Sequence, residues 1–399
     1  MTTTKKRSAI FGAIFLMATS AIGPGFLTQT AVFTNQMKAS LAFAILVAVA
    51  LDISIQLNVW RVIGVAGVRA QELGNRVLPG LGWFLAALIA IGGVVFNIGN
   101  VAGSGLGTDA MLGLDPKIGG TITAAVAIVL FLSKRAGAAL DRFLVVLGLV
   151  MIAMTVYVAI VGHPPVGQAL QNTVMPEHVN WLVITTLLGG TVGGYISYAG
   201  AHRMLDSGHV GPEAVGTITR SALTGTVLTA IMRSVLFLAV LGVVAGGVAL
   251  NINGNPAAEA FQAAAGQVGL RIFGVVLWAA ALSSVIGCSY TSATFLIPND
   301  PKHHKLQNLV TIGFILLAWA LFMVLGAAPA ALLVFAGAFN GLVLPIGFTL
   351  ILFIAAFRSD LLHGYRYPRW LIAIGVLAAG FTWWLAWLNM DKVFTLLAH

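Results

Sequence analysis

Residues 20–30, SAIGPGFLTQT, place Gly23, Pro24 and Gly25 inside an apolar segment of the chain. Proline lacks the backbone N–H that an α-helix uses and clashes with the preceding turn, and glycine is a poor helix former. A helix that crosses a membrane is therefore expected to break here. In hydrocarbon, such a break persists only where protein or a water-filled cavity surrounds the freed backbone groups. The stretch predicts a ligand site at membrane depth; the alternative is a kinked helix that packs through its small residues.

The composition supports a membrane setting. Of the 399 residues, 59% are hydrophobic and 8% are charged, whereas a soluble domain carries about 25% charged residues. The apolar residues form runs of roughly 20, long enough to cross a hydrocarbon core of about 30 Å. An all-α polytopic membrane protein is predicted, without a cleavable signal peptide because the first apolar run is too long for one. Cys288 is the only cysteine, which excludes an intramolecular disulfide and a cysteine-based metal site.

Hydropathy predicts about 11 transmembrane helices joined by short loops. Their approximate ranges are 8–34, 39–63, 80–112, 117–133, 138–161, 181–205, 218–246, 268–296, 306–326, 329–357 and 369–390.

The net charge of +9 is explained by topology. With the N-terminus in the cytoplasm, sixteen of the 21 Lys and Arg residues fall on the cytoplasmic side, four fall on the opposite side, and Arg233 lies inside a span. This asymmetry satisfies the positive-inside rule. It predicts a multi-pass protein of the cell inner (plasma) membrane with a cytoplasmic N-terminus and an outside C-terminus. The lipid bilayer and a small-molecule or ion substrate are the expected partners, and nucleic acid is excluded.

The sixth span contains a second interruption. Residues 187–206 read LLGGTVGGYISYAGAHRMLD, with four glycines at mid-span. Because the two interrupted spans stand five apart, the chain predicts a five-plus-five inverted repeat with broken helices 1 and 6. The expected organisation is one transporter domain over residues 1–399, with repeat one at about 8–161, repeat two at about 181–357 and an appended helix at about 369–390.

Both interruptions resemble motifs of the Nramp family of proton-coupled divalent-metal transporters, which have the leucine-transporter-type fold. The family's first-span motif Asp-Pro-Gly-Asn is matched by residues 23–26, GPGF, and its sixth-span stretch GATVMPH by residues 189–195, GGTVGGY. The third-span Asp-x-x-Glu is matched by Asn97 and Asn100, and a tenth-span leucine-proline pair by Leu344 and Pro345. The resemblance extends over nearly the whole chain. It implies a transporter without enzymatic activity or cofactors.

The resemblance fails at the metal site. The family positions that contact the metal hold Gly23, Phe26 and Gly193 in this chain. A divalent cation needs anionic or otherwise strong donors to replace its water, and these residues offer no side-chain donor. Asn97 and Asn100 stand where the family has acids, and their amides form hydrogen bonds but do not titrate near neutral pH. No metal-ligating residue is therefore assigned.

A small organic solute, with an anionic group, fits these residues better. Half-helices that begin after a break carry a partial positive charge at their N-termini, which favours an anion. The missing side chains at Gly23, Gly193 and Gly194 predict room for such a solute. Phe26 and Tyr195 are expected to form apolar walls. The candidate substrate-binding residues are Gly23, Pro24, Gly25, Phe26, Thr28, Gln29, Asn97, Asn100, Thr191, Gly193, Gly194, Tyr195 and Arg233.

Two charges stand at mid-span where the family pattern has none, Asp52 in the second span and Arg233 in the seventh. Charges inside a membrane usually face an interior partner or a substrate pathway. One interpretation is a buried ion pair between them. The other has Arg233 facing the cavity, where its planar guanidinium binds a carboxylate.

The sequence thus predicts an Nramp-like secondary active transporter that works by alternating access and carries a small organic, anionic solute. One alternative is proton-coupled transport of a divalent metal, as the family implies. Another is a channel or a membrane sensor that does not transport. The chain contains no phosphate-binding loop, which argues against an ATP-driven pump.

Overall fold

The computed structural model describes residues 22–297, 301–325 and 328–396, without the side chains of residues 134–145 and 301. Within these ranges the chain forms α-helices and three short 3-10 helices, and no β-strand. This confirms the all-α class. The helices are α1 Pro24–Met37, α2 Leu41–Ala66, α3 Ala70–Val77, α4 Leu81–Leu112, α5 Pro116–Leu132, α6 Lys134–Val161, α7 Val166–Val174, α8 Trp181–Val192, α9 Ile196–Asp206, α10 Val215–Ala245, α11 Pro256–Leu296, α12 His304–Val324, α13 Pro329–Phe357 and α14 Arg369–Thr395.

Fewer helices than the predicted 11 meet the requirements for a membrane span. Within the described residues, eight are long and apolar enough, or nine if Val146–Val161 and Val166–Val174, bent by 104°, form one span. The first two predicted spans count as one continuous helical segment, because the 3-10 turn Lys38–Ser40 joins α1 directly to α2. Helix α5 has 17 residues, or about 26 Å, which is shorter than the hydrocarbon core. The exact number of spans stays a prediction.

The first half of the first predicted span, residues 8–21, lies outside the described residues. The second half begins at Pro24, as the sequence predicts, and Gly23 before it has extended backbone. The sixth predicted span is interrupted: α8 ends at Val192 and α9 begins at Ile196. A further kink lies in α11 at Gly266, whose φ of 63° and ψ of −157° are not helical.

The helices that occupy equivalent places in the two predicted repeats pack against each other. Helix α4 contacts α11 more extensively than any other pair, α2 packs along α10, and α5 contacts α12. Helix α1, after the first break, touches α8, before the second break. Contacts of this kind suit two repeats related by a two-fold axis, although the repeat boundaries stay a prediction. They place the first break next to α4, α10 and α13, and α4 and α10 carry the candidates Asn97, Asn100 and Arg233.

Candidate functional site

Helix α1 begins inside the molecule. Gly23 precedes it with φ −87° and ψ −176°, and no side chain of the described residues caps the first turn. Pro24 occupies the first helical position, where its missing N–H costs nothing and its fixed φ suits the helix. The other N–H groups of the first turn have no partner within the helix. Because Gly25 and Phe26 are buried, this end presents a partial positive charge within the protein interior.

The second break forms at two glycines. Gly193 ends α8, and Gly194 has a φ of +55°, a conformation that favours glycine. A Cβ at Gly194 would collide with the side-chain oxygen of Asn340, and one at Gly193 with the carbonyl oxygen of Gly189. The prediction that Gly193 and Gly194 leave room for a solute is therefore wrong in this conformation, because Asn340 of α13 fills the space.

The side chain of Gln29 packs between α1, α8 and α13. Its side chain lies where Cβ atoms on Gly190 of α8 and Gly337 of α13 would stand. Its Nε2 donates to the carbonyl oxygen of Leu333 at 2.9 Å. Its Oε1 accepts no hydrogen bond from the described residues. The hydroxyl of Thr28, one residue earlier, also has no partner among them. Gln29 thus holds α1 against the broken span and keeps one buried acceptor unused.

Asn97 links α4 to α11, and Asn100 bonds to Asn97 within α4. Asn97 Nδ2 donates to Ser289 Oγ at 2.8 Å, and Asn100 Nδ2 donates to Asn97 Oδ1 at 3.3 Å. Tyr195, between the two halves of the broken span, lies beside Asn100. Its ring meets that of Phe96 edge to face, with centroids 5.5 Å apart. These side chains are nearly inaccessible to solvent, with exposures of 0–1% for Asn97, Asn100 and Tyr195.

Arg233 lies between the two broken spans. Its Cζ stands 4.3 Å from the ring centre of Phe26, in the first turn of α1. Its Nη1 reaches the carbonyl oxygen of Leu187 in α8 at 3.4 Å. Its Nε and Nη2 have no hydrogen-bond partner among the described residues, and the residue is 2% exposed. A buried donor without a partner is costly, more so when charged, so this guanidinium is suited to receive an anion.

Asp52 lies close to this arrangement. The hydroxyl of Thr191 is 3.3 Å from Asp52 Oδ1 and donates at 2.8 Å to the same Leu187 oxygen that Arg233 reaches. Asp52 and Arg233 attract each other electrostatically. They are not among the ion pairs within 4 Å that the described residues form. The interpretation as a direct ion pair stays a prediction.

The structure brings most candidate side chains to one region, through α1, α4, α8 and α10. Asn340 belongs to this region but was not predicted; the signal was an isolated amide in the middle of the apolar tenth span. The carbonyl of Leu187 was also missed, because a backbone group leaves no mark in the sequence. Among the described residues, no group of three or more His, Cys, Asp or Glu side chains could hold a metal ion.

Comparisons with known proteins agree with the fold. The chain is 50% identical over 370 residues to the uncharacterized membrane protein YcsG of Bacillus subtilis (strain 168), covering 93% of this chain and 91% of YcsG. A manganese transporter of Eremococcus coleocola has a similar structure, with a TM-score of 0.75 and 16% identity over 99% of this chain and 89% of that one. MhsT in complex with L-phenylalanine has a TM-score of 0.64 and 16% identity over 97% and 98% of the two chains.

At 16% identity, the structural likenesses show the fold alone. Family membership rests on sequence: the model of the Nramp family, described as natural resistance-associated macrophage protein-like, matches residues 14–390. This match confirms the resemblance seen in the motifs at both breaks. The members of this family are transporters, not enzymes. The chain therefore belongs to the Nramp family.

Proposed function

We propose that this secondary transporter carries a small organic anion, with a carboxylate bound by Arg233, across the cell inner membrane. The observation that supports the proposal is a buried guanidinium between both broken spans, with two nitrogens that no described residue satisfies. Planar guanidinium groups bind carboxylates through two parallel hydrogen bonds. The N-terminus of α1, beside Phe26, adds a partial charge of the same sign.

The same charge opposes a divalent cation. At an effective dielectric constant of about 20, a divalent ion about 5 Å from the guanidinium is repelled by roughly 7 kcal/mol. Asp52, at a similar distance, would only cancel that repulsion. Only neutral oxygens, such as those of Gln29 and Asn340, would then remain to replace the water that the ion loses on entry. The family positions for metal ligands hold Gly23, Phe26 and Gly193, which supply no side-chain oxygen, nitrogen or sulfur.

Other groups in this region suit the rest of an organic solute. The ring of Phe26 offers an apolar face beside Arg233. The oxygens of Gln29 and Asn340 are buried acceptors without donors among the described residues. A substrate that joins a carboxylate to an N–H donor would satisfy both kinds of group. Alternating access then requires the break at Gly193 and Gly194 to move, because Asn340 fills the space beside it.

The alternative substrate is a divalent metal ion, coupled to protons. Family membership favours it, and so does the similarity to the Eremococcus coleocola protein, which is a manganese transporter. MhsT, of the same general fold, was solved with L-phenylalanine, so an organic solute is compatible with this architecture. A channel or a sensor is a third possibility. Counterflow separates the three, because only a transporter exchanges labelled substrate against a gradient.

Calorimetry on the purified protein tests the proposal. The titrants are Mn²⁺ and five small acids: acetate, L-lactate, succinate, L-proline and pyroglutamate. We expect saturable binding of at least one acid and no saturable binding of Mn²⁺ in the micromolar range. Tight Mn²⁺ binding that is lost on altering Thr28, Gln29 or Tyr195 would overturn the proposal and favour the metal.

A further inference from the structure

Asp52 is the one buried carboxylate among the residues whose side chains the structure describes, at 5% exposed. The helices packed around it bring few charges. Helices α8 and α13 carry no titratable side chain. Helices α9, α10 and α14 also pack against α2, and apart from Arg233 their titratable groups lie away from the middle of the second span. These groups are Tyr198, His202, Arg203 and Asp206 of α9, Arg220 of α10, and Arg369, Asp391 and Lys392 of α14. The charge that acts on Asp52 is that of Arg233.

When the Asp52 carboxyl group is ionised, two acceptors compete for one hydroxyl proton. They are Asp52 Oδ1 and the Leu187 carbonyl oxygen, and the donor is the Thr191 hydroxyl. The Thr191 hydroxyl has a single proton. It lies 2.8 Å from the Leu187 carbonyl oxygen and 3.3 Å from Asp52 Oδ1, so it can donate to only one of these acceptors. A proton on Asp52 removes the conflict. The Asp52 carboxyl then donates to Thr191 Oγ1, and Thr191 donates to Leu187.

The Leu187 carbonyl oxygen couples the direction of the Thr191 hydroxyl to the hydrogen bonding of Arg233. One of its lone pairs accepts the helical N–H of the residue four positions later, Thr191, which leaves one for a side chain. That one is contested by the Thr191 hydroxyl at 2.8 Å and Arg233 Nη1 at 3.4 Å. When Asp52 is protonated, Thr191 holds the oxygen, and Arg233 Nη1 joins Nε and Nη2 as a donor that is available to a ligand. When Asp52 is ionised, the hydroxyl turns to the carboxylate and the oxygen is left for Arg233.

We propose that Asp52 binds the coupling proton and that the Thr191 hydroxyl links this proton to the availability of Arg233, so that one proton travels with each anionic substrate. The inference rests on the proposed function for its cargo, but not for the proton site itself. The proton adds to a carboxylate oxygen of Asp52 from water on the loading side and returns to water on the release side. No other bond forms or breaks.

Charge balance supports this stoichiometry. In the empty transporter, ionised Asp52 and Arg233 have no net charge. In the loaded transporter, neutral Asp52, Arg233 and one carboxylate again have no net charge. Both forms can reorient without carrying charge through the hydrocarbon core, where an unbalanced charge is expensive. Transport is therefore expected to respond to a pH gradient and not to the membrane potential.

Infrared spectroscopy tests the proton site without any substrate. A protonated buried carboxyl group has a carbonyl stretch that a carboxylate lacks, and we expect it to appear as the pH of the purified protein is lowered. At pH values where exposed carboxyl groups stay ionised, the band should be absent in Asp52→Asn, which retains an oxygen that can accept from Thr191. It should persist in the control Asp109→Asn, which makes the same change at an exposed acid on α4. A band that survives in Asp52→Asn, or that the wild type lacks at every pH, would overturn the proposal.

The linkage is tested with the most tightly bound of the five acids. One-to-one coupling predicts that affinity falls about tenfold per pH unit once Asp52 is ionised. Thr191→Val should lose this dependence and Thr191→Ser should keep it. An equally steep dependence in Thr191→Val would refute the role of the hydroxyl. If none of the acids binds, the proposed cargo is wrong, whereas the infrared result still decides the proton site.

Discussion

Gly194 is constrained by its own backbone and by a neighbour. Its φ of +55° costs alanine roughly 1 kcal/mol, and a Cβ would collide with Asn340 Oδ1. Asn340 cannot easily move, because its Nδ2 donates to Gly92 and Ala336 at 3.1 and 2.9 Å. Gly194→Ala should therefore lower the melting temperature of the purified protein clearly more than Gly208→Ala. Gly208 has a φ of +74° but no atom within 4 Å of its Cβ position, so equal losses would show that the collision is relieved.

Arg233 distinguishes the two interpretations of the mid-span charges. If it binds substrate, Arg233→Gln should fold and lose affinity for the carboxylate by about 10- to 150-fold, the value of a charged hydrogen bond of about 1.5–3 kcal/mol. Arg233→Lys should lose part of that affinity, since lysine keeps the charge but not the planar group stacked on Phe26.

If Arg233 serves only as the partner of Asp52, the outcome differs. Removing either charge would leave the other uncompensated at a cost of about 3–5 kcal/mol. Arg233→Gln and Asp52→Asn should then both express poorly, and exchanging the two residues should restore part of the yield. Fluorescence-detected gel filtration of the two single variants and of the exchanged double variant measures this directly.

At the contact between α4 and α11, Asn97 and Asn100 occupy positions where the Nramp family has acidic residues. Asn97 donates to Ser289 at 2.8 Å and is 0% exposed. In Asn97→Asp, a protonated carboxyl group can replace this donor, whereas a carboxylate cannot. The variant should therefore melt at a lower temperature at neutral pH than at acid pH, with a pH dependence that Asn97→Ser lacks. Melting curves that shift equally with pH in both variants would contradict this.

The elements that could be predicted from sequence are those whose cause is local. Pro24 with glycine on each side fixes where α1 begins, and the glycines of residues 189–194 mark the second break. The site depends on contacts between distant segments, which a local pattern does not carry. The sequence does not show that the space at Gly194 is filled, because the residue that fills it, Asn340 of α13, is almost 150 positions away. The role of the Leu187 carbonyl likewise depends on how α10 approaches α8.

At the scale of the whole molecule, we predict the orientation of the protein in the membrane. An odd number of spans puts the termini on opposite sides, and the sixteen-to-four distribution of Lys and Arg puts the N-terminus in the cytoplasm. Cysteine labelling tests both points, because the single native thiol of Cys288 is 0% exposed and should not react. In spheroplasts, a membrane-impermeant maleimide should label Thr395→Cys at once, since position 395 is exposed. It should label Lys5→Cys only after lysis, and Cys288→Ser provides the background. Labelling of both positions from the same side would require an even number of spans, and labelling in the reverse order would invert the orientation.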